Sequence, residues 1–502
     1  MMDQNSLLKL NLLDHVAVAT RGLHKGEIVF QNEEAITINE DIAVGHKVAL
    51  VDIAEGMSVY KYGASIGNAT QSIPKGAWVH AHNLKTGLSG KLEYQYQQGS
   101  KSWTSRSIDH LPTSFEGYVR ENGEVGIRNE IWIINTVGCI NKTAERLANI
   151  ANSRFSRDGI DGVYHFAHPY GCSQLGDDLH YTQKLLAGLV RHPNAAGVLV
   201  MGLGCENNRI QEFMPFIGEV NEQRVKFLSV QSVEDEVEAG LEALAELVSY
   251  ASTFVRQPVS VHRLKVGLKC GGSDGFSGIT ANPLIGEVSD LLVSKGGTTF
   301  LTEVPEMFGA ETILMNRAKD EVIYRKIVDL IDEFKDYYAR HDQVIYENPS
   351  PGNKDGGITT LEEKSLGCTQ KGGHSSVNDV LAYGELAKEH GLNLVQAPGN
   401  DMVSVSALIA AGAHMVLFST GRGTPLGGAV PTLKISTNST LSEKKPHWID
   451  FDAGRLLSGM PMEELTEELY KMVLETASGA YRTRNERNEF REIAIFKDGV
   501  TL

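Results

Sequence analysis

Positive charge and long apolar runs are both scarce in this 502-residue chain. It has 47 Lys and Arg against 63 Asp and Glu, a formal charge of −16, which argues against a nucleic-acid-binding protein and against a polybasic membrane surface. No stretch approaches the ~18–20 apolar residues that a membrane span requires. The first residues also lack the basic-then-apolar order of a signal peptide. We therefore expect a cytoplasmic protein with no nucleic-acid or membrane partner.

Cysteine is rare as well, with five in the chain. That number does not suggest a disulfide framework, and the absence of any Cys-x-x-Cys pair excludes a zinc ribbon and the standard ferredoxin motif. Dispersed thiolates can nevertheless meet at one iron site. The glycine-rich segments lack the Gly-Lys-Ser/Thr ending of a phosphate-binding loop, so we do not expect a nucleotide-binding role.

The first hundred residues differ in pattern from the rest of the chain. Residues 8–98 contain short alternating or β-branched runs separated by glycine turns, which is typical of a small β-barrel or β-clip. Residues 99–114 are polar and rich in serine. This composition predicts a linker.

The remainder alternates apolar strands with amphipathic helices. The segment 195–202 (AAGVLVMG) predicts a buried strand, and 233–251 has apolar residues at helical spacing. Residues 115–255 and 256–502 are therefore each expected to form an α/β domain with a largely parallel sheet.

Glycine and cysteine concentrate where the predicted strands end. Four of the five cysteines follow an apolar run, in turns that also contain glycine: Cys139, Cys172, Cys205 and Cys270. In open α/β sheets, ligands bind at the carboxyl ends of the strands, and glycine there frees backbone N–H groups for an anion. The pattern predicts a pocket for a small polyhydroxylated acid. The alternative for each cysteine is packing as a small buried hydrophobe.

Histidine and arginine supply further candidates. His80 and His82 share one face of a predicted strand, a spacing that suits two ligands of one metal or a pair that merely alternates toward solvent. His168 precedes the Cys172 turn and is a candidate base or ligand. Arg422 stands between two glycines at a strand end, so it is the best candidate for a carboxylate clamp, with a solvated loop arginine as the alternative.

Long ungapped motifs in the chain are specific enough to indicate a family. They occupy residues 116–130, 170–177, 202–207, 269–286, 302–309, 347–352, 419–425 and 487–502. Through these motifs, residues 12–502 closely resemble the altronate dehydratases, which group with galactarate dehydratase and the sulfolactate sulfo-lyases in one superfamily. The His80-x-His82 pair and Cys368 set the chain with the altronate branch, and Cys368 is then not expected in chemistry common to the superfamily.

This resemblance carries expectations of fold and activity. It implies an N-terminal SAF-type β-clip domain followed by two α/β domains. It also implies dehydration of D-altronate to 2-dehydro-3-deoxy-D-gluconate in hexuronate (galacturonate) breakdown, with Fe(II), or else Mn(II), as cofactor. The expected partner is a small sugar-acid substrate, and we expect a homo-oligomer, a dimer.

The metal is assigned to the small domain in our working hypothesis. Removing the proton α to a carboxylate creates a dianionic enediolate, and a metal that bridges carboxylate and hydroxyl oxygens stabilises that charge. His80 and His82, joined by His46, are expected to hold the metal. Cys139 and Cys205 are further candidate ligands.

The α/β domains are expected to supply the proton transfers and the substrate contacts. A general base takes the C2 proton, and a general acid assists departure of the C3 hydroxyl. His168 or Asp274 is expected to act as the base, with Cys172 and Cys270 at the catalytic centre. The expected substrate-binding residues are Gly271, Gly272, Ser273, Asn282, Arg422 and Thr424.

Two alternatives remain from the sequence. Another sugar-acid dehydratase, such as one for galactarate, or a sulfolactate sulfo-lyase would use the same scaffold, and substrate profiling separates these activities. A non-catalytic sugar-acid sensor or partner-binding protein would need degraded site motifs, whereas the motifs here are intact.

Overall fold

The computed structural model describes residues 6–96, 110–155 and 159–499. Three parts follow one another along the chain, each with its own sheets. The predicted linker, 99–114, lies outside the described residues up to position 109, and a strand already begins at Ser114.

The N-terminal part, residues 6–96, is made of short antiparallel strands and contains no α-helix. Its strands are β1 (Leu7–Leu8), β2 (Val16–Ala19), β3 (Ile28–Gln31), β4 (Glu34–Thr37), β5 (Lys47–Ala49), β6 (Ser58–Lys61), β7 (Ala64–Ala69), β8 (Trp78–Val79) and β9 (Leu84–Lys85). They form a β1-β2-β5-β8 sheet, a β3-β4 hairpin and a β6-β7-β9 sheet. Branched side chains such as Val59 and Ile66 fill the interior, because β-branched residues pack well on pleated surfaces.

The second part is a four-stranded parallel sheet with helices on both faces. Its elements are β10 (Ser114–Val119), β11 (Val125–Gly126), β12 (Glu130–Asn135), α1 (Asn141–Phe155), β13 (Gly162–His165), α2 (Gly176–Arg191), β14 (Ala195–Gly202), α3 (Ile210–Ile217), β15 (Val225–Ser229), α4 (Glu236–Ala251) and β16 (Gln257–Ser260). The parallel order is β13-β12-β14-β15, and a small antiparallel sheet has the order β11-β10-β16. All of β14 is buried, as expected for a strand covered on both sides.

The third part is a seven-stranded parallel sheet. Its elements are β17 (Lys265–Cys270), α5 (Ala281–Ser294), β18 (Thr298–Leu301), α6 (Glu311–Met315), α7 (Glu321–Arg340), α8 (Pro351–Asp355), α9 (Leu361–Cys368), β19 (Val377–Leu381), β20 (Gly391–Val395), α10 (Asp401–Ala410), β21 (Met415–Thr420), β22 (Thr432–Ser436), α11 (Ser439–Lys444), β23 (Phe451–Asp452), α12 (Met462–Ala477) and α13 (Arg484–Arg487). The strand order is β19-β20-β18-β17-β21-β22-β23.

The three parts share cores rather than standing apart. One buried cluster joins Leu186 of α2 to Leu408 of α10, so the two parallel sheets pack through these helices. Another joins strands of the N-terminal part to Ala310 and Leu366 of the third part. The predicted fold class is confirmed: a small β domain precedes two α/β regions with parallel sheets. Within the described residues, no helix combines the length and apolar character needed to cross a bilayer.

Candidate functional site

The N-terminal part meets the third part where glycines bring backbones together. Gly275 follows β17 and donates its N–H to Gly356 O at 2.7 Å. A Cβ at Gly275 or Gly357 would collide with the carbonyl oxygen of Gly45, so side chains are sterically excluded from both positions. We call this contact, formed by the turns at Gly45, Gly275 and 356–357, the seam.

A buried ion group spans the seam. Lys47 Nζ lies 2.8 Å from Glu363 Oε2, and Lys61 Nζ lies 2.7 Å from Glu363 Oε1. Burial opposes ionisation of Glu363, but the two lysines hold its pKa at about 2. Burial lowers the pKa of Lys47 to about 8, although Glu363 opposes this. Two ammonium groups share one carboxylate here, which suits the binding of an anion nearby.

The three histidines predicted to hold the metal surround Trp78 but differ in availability. His46 Nδ1 accepts from Trp78 Nε1 at 3.1 Å, and its Nε2 lies 3.2 Å from Asp355 O. Both ring nitrogens of His46 are thus engaged in hydrogen bonds within this structure, and its role as a metal ligand stays a prediction.

His80 and His82 keep ring nitrogens for a ligand. His80 Nδ1 lies 2.9 Å from Thr359 Oγ1, which leaves Nε2 available. Burial lowers the pKa of His80 to about 4, so the ring is neutral at pH 7, as a metal ligand must be. His82 is exposed against Trp78. Their role as metal ligands stays a prediction.

Asp274 organises a loop, and both oxygens of its carboxylate accept hydrogen bonds. Its carboxylate accepts from Thr437 Oγ1 at 2.9 Å, from Ser277 Oγ and Phe276 N at 3.1 Å, and from Asn438 Nδ2 at 3.1 Å. Burial raises its pKa. The role of Asp274 as the base stays a prediction.

His168 is also engaged on both sides of its ring. Its Nε2 lies 2.9 Å from Asn135 O, and its Nδ1 accepts from Tyr170 N at 3.2 Å. Burial lowers its pKa. His168 therefore ties its own loop to the end of β12, and its role as a base stays a prediction.

Arg422 lies beside the glycine turn that follows β17. Its backbone N–H donates to Gly272 O at 2.8 Å. The turn itself is tightly packed, because a Cβ at Gly271 would lie 2.6 Å from the Phe418 ring. The Arg422 side chain is exposed, and among the described residues its guanidinium has no hydrogen-bond or ion-pair partner. It is available to bind a carboxylate bidentately.

The other predicted substrate residues differ in what they can offer. Asn282 is buried, donates to Gly367 O at 3.0 Å and accepts from Ser419 Oγ. Asn282 therefore braces the turn, and its role as a substrate contact stays a prediction. Ser273 is buried as well, whereas Thr424 is half-buried beside Arg422.

Cys270 lies in a buried charged group that the sequence did not predict. Lys371 Nζ lies 2.8 Å from its sulfur, Cys368 Sγ lies 3.4 Å away, and Glu306 Oε2 lies 3.5 Å away. Cys270, Glu306 and Cys368 are the one trio of potential ligands within 4.8 Å of one another among the described residues. Lysines already neutralise the negative charge of this trio, since Lys364 Nζ pairs with Glu306 at 2.8 Å.

The same group extends to Lys269 and Glu303, whose side chains form a buried ion pair. Lys269 also pairs with Asp401 at 2.9 Å. Glu303 adopts a left-handed backbone, φ 70°, which is uncommon for a non-glycine residue and marks functional sites. The motif 302–309 was a sequence signal for these glutamates, but nothing in it specified their lysine partners.

The remaining predicted cysteines lie elsewhere. Cys139, Cys172 and Cys205 are exposed and follow β12, β13 and β14 of the second part. Cys270 follows β17 in the third part. Four cysteines with one sequence pattern therefore divide between two sheets.

Family models match the three parts in turn. The altronate/galactarate dehydratase SAF domain matches residues 5–87, the second domain of D-galactarate dehydratase/altronate hydrolase matches 117–252, and the C-terminal domain of D-galactarate/altronate dehydratase matches 261–501. An altronate dehydratase of Escherichia coli K12 is 53% identical over 496 residues, 99% of each chain. The chain belongs to the altronate/galactarate dehydratase family. It is an enzyme of the hydro-lyase class, as the sequence predicted.

Further relatives indicate which branch of the altronate/galactarate dehydratase family is nearer. An altronate dehydratase of Bacillus subtilis 168 is 52% identical over 503 residues, covering 99% of this chain and 100% of that protein. A galactarate dehydratase (L-threo-forming) of E. coli K12 is 30% identical over 511 residues, covering 97% and 96%. The predicted resemblance to the altronate dehydratases is confirmed.

Proposed function

We propose that this chain dehydrates D-altronate to 2-dehydro-3-deoxy-D-gluconate and water, as a step in hexuronate breakdown. The proposal rests on 52–53% sequence identity to two altronate dehydratases, over nearly the full length of this chain and of both relatives. We extend the proposal to a cytoplasmic homodimer that requires Fe(II), or else Mn(II).

The carboxylate of the sugar acid is assigned to Arg422. Its guanidinium has no partner within the part of the chain that the structure describes, and it lies beside the Gly271–Gly272 turn at the carboxyl end of β17, where backbone N–H groups can add donors. The buried lysines of the seam add positive charge on the same side of the sheet. These groups orient the substrate and stabilise negative charge that grows when the C2 proton leaves.

His80 and His82 are the nitrogen donors that fit the metal at the seam. Both keep a ring nitrogen available, and His80 is neutral at pH 7. A divalent metal supplies Lewis acidity for the enediolate when bound. Since His168 and Asp274 are engaged in hydrogen bonds, we do not assign the proton transfers to them.

The experiment is 2-keto acid formation from D-altronate by chelator-stripped protein under anaerobic conditions, before and after addition of Fe(II) or Mn(II). We expect turnover to return with Fe(II). Consumption of galactarate or sulfolactate instead would move the chain to another branch of the family. A folded, metal-loaded protein that converts none of the three would overturn the proposal.

A further inference from the structure

Three exposed cysteines lie beyond the carboxyl ends of three neighbouring strands of one sheet. β13, β12 and β14 are adjacent and parallel, and Cys172, Cys139 and Cys205 lie in the loops that follow them. The carboxyl ends of parallel strands lie at the same edge of a sheet. The topology therefore brings residues far apart in sequence to one edge.

Hydrogen bonds tie these loops together next to each cysteine. Gly138 N donates to Tyr170 O at 2.8 Å, which links the neighbours of Cys139 and Cys172. Ser173 N donates to Asn207 Oδ1 at 2.7 Å. Asn208 N donates to Gly171 O at 2.9 Å, a second link between the Cys172 and Cys205 loops. The three cysteines thus belong to one interlocked loop cluster.

The surroundings of this cluster suit an anionic group. α1 begins at Asn141, two residues after Cys139, and α2 begins at Gly176, four residues after Cys172. Helix N-termini stabilise negative charge. Three buried side-chain atoms in these loops or at the end of β12 have no hydrogen-bond partner in the described part of the chain: Asn135 Oδ1, Gln174 Nε2 and Asn208 Oδ1. Buried polar atoms without partners call for a missing ligand or water.

The arrangement of the three sulfurs does not match a single ion that binds all of them. One tetrahedral ion with metal–sulfur bonds of about 2.3 Å needs its sulfurs roughly 4 Å apart. Among the described residues, Cys139, Cys172 and Cys205 do not form a set within 4.8 Å. A group with several irons spreads its thiolates more widely, because each thiolate binds a different iron.

These thiols also differ from Cys270 in their partners. The Cys270 sulfur has Lys371 Nζ at 2.8 Å. The contacts to Cys205 and Cys172 are longer. Gln231 Nε2 lies 3.6 Å from Cys205 Sγ, and Ser173 Oγ lies 3.9 Å from Cys172 Sγ.

We propose that Cys139, Cys172 and Cys205 hold a four-iron, four-sulfide cluster at this edge of the second-part sheet. Each thiol loses its proton to solvent and binds one iron, so the fourth iron is left for a ligand from substrate or solvent. A cavity of ≈ 510 Å³ opens beside Cys205 and is lined in part by His180 and Arg209. It has room for a small acid. The proposal stands whether or not D-altronate is the substrate.

The test is the iron and acid-labile sulfide content of full-length protein purified without oxygen, or reconstituted with ferrous iron, ferric iron and sulfide. We expect about four sulfides per chain and about four irons in addition to the ion assigned to His80 and His82, with the visible absorption of an iron–sulfur cluster. Iron without sulfide, or neither after reconstitution, would overturn the proposal. A cluster in a protein that fails to convert D-altronate would overturn only the function proposed above.

Single variants locate the cluster. Cys139→Ser, Cys172→Ser and Cys205→Ser are each expected to lose iron and sulfide several-fold, with unchanged far-ultraviolet circular dichroism because the thiols are exposed. Cys368→Ser is the matched control and should keep the full content. Retention of the full content by all three variants would place the cluster elsewhere and contradict the assignment.

Discussion

At the scale of single residues, the hydrogen bonds already made decide which side chains can serve a substrate. Asp274 and Arg422 lie in neighbouring turns. The Asp274 carboxylate accepts hydrogen bonds from its own loop and from the loop after β22, whereas the Arg422 guanidinium has no partner among the described residues. The sequence placed both at strand ends correctly, but residue type and spacing carry no information about which polar groups are already satisfied.

Arg422→Lys tests the proposed carboxylate clamp. Lysine keeps the charge but loses the planar fork that binds a carboxylate bidentately. Losing a charge-assisted hydrogen bond of about 1.5–3 kcal/mol should raise KM roughly 10- to 100-fold. Steady-state kinetics on D-altronate gives the value, and the melting temperature should not change because the side chain is exposed.

The control for this substitution is Arg325→Lys. Arg325 is an exposed arginine on α7 that pairs with Glu321 at 2.6 Å. Its replacement should leave KM unchanged. Equal KM values for Arg422→Lys and the unmodified enzyme would remove Arg422 from the substrate site.

At the scale of elements, the hydrophobic pattern of the sequence predicted the long strands and helices well. It did not predict the order of the strands in the sheets. The strand 195–202 coincides with β14. The helix predicted over 233–251 begins only at Glu236, because Asp235 caps it by accepting from Val237 N and Glu238 N. The order of strands within each sheet is set by long-range packing, so the division of the cysteines between two sheets could not be predicted.

The packing of α2 on α10 gives a second prediction. A Cβ at Gly188 would lie 2.7 Å from Ala410 Cβ and 2.8 Å from its Cα. Alanine is the better helix former by about 1 kcal/mol, but overpacking against backbone costs about 1–3 kcal/mol. Gly188→Ala should therefore lower the free energy of unfolding, as measured by urea denaturation.

Gly240→Ala in α4 is the matched control. Its Cβ would meet only the end of the Leu147 side chain, at 2.7 Å from Cδ1, and a side-chain end can move. We expect a smaller change in unfolding free energy than for Gly188→Ala. If the two variants lose the same stability, the rigid contact with Ala410 is not the cause.

At the scale of the whole molecule, buried ion pairs join parts that are distant in sequence. Arg128 Nε lies 2.6 Å from Glu486 Oε1, which links the second part to the last helix. Burial opposes ionisation of Glu486, but Arg128 holds its pKa at about 2. With 47 basic and 63 acidic residues, one sequence cannot say which cation meets which anion. The Lys47–Glu363 pair escaped prediction for the same reason.

Glu486→Gln should destabilise the protein in a pH-dependent way. The pKa of Glu486 rises from about 2 in the folded protein to its ordinary 4.5 on unfolding, so the pair stabilises fully above pH 4.5 and progressively less as the pH falls to 2. Leaving Arg128 buried without its partner should cost about 3 kcal/mol at pH 7. Urea unfolding from pH 7 to pH 3 measures the free energy of unfolding of both proteins. The difference in this free energy between the variant and the wild type should narrow below about pH 4.5.

Glu321→Gln, at an exposed position, is the control for Glu486→Gln. It should change the free energy of unfolding little at any pH. A difference between Glu486→Gln and the wild type that stays constant from pH 7 to pH 3 would show that the lost stability does not come from the ionised pair.

The ion group at the seam also sets an order of events during synthesis. Lys47 and Glu363 are 316 residues apart. At about 5–20 residues per second, the carboxylate leaves the ribosome roughly 15 to 60 s after the lysine. Through that interval the nascent N-terminal domain must keep Lys47 and Lys61 hydrated. The seam is therefore completed only after the first two parts and the beginning of the third part have been made.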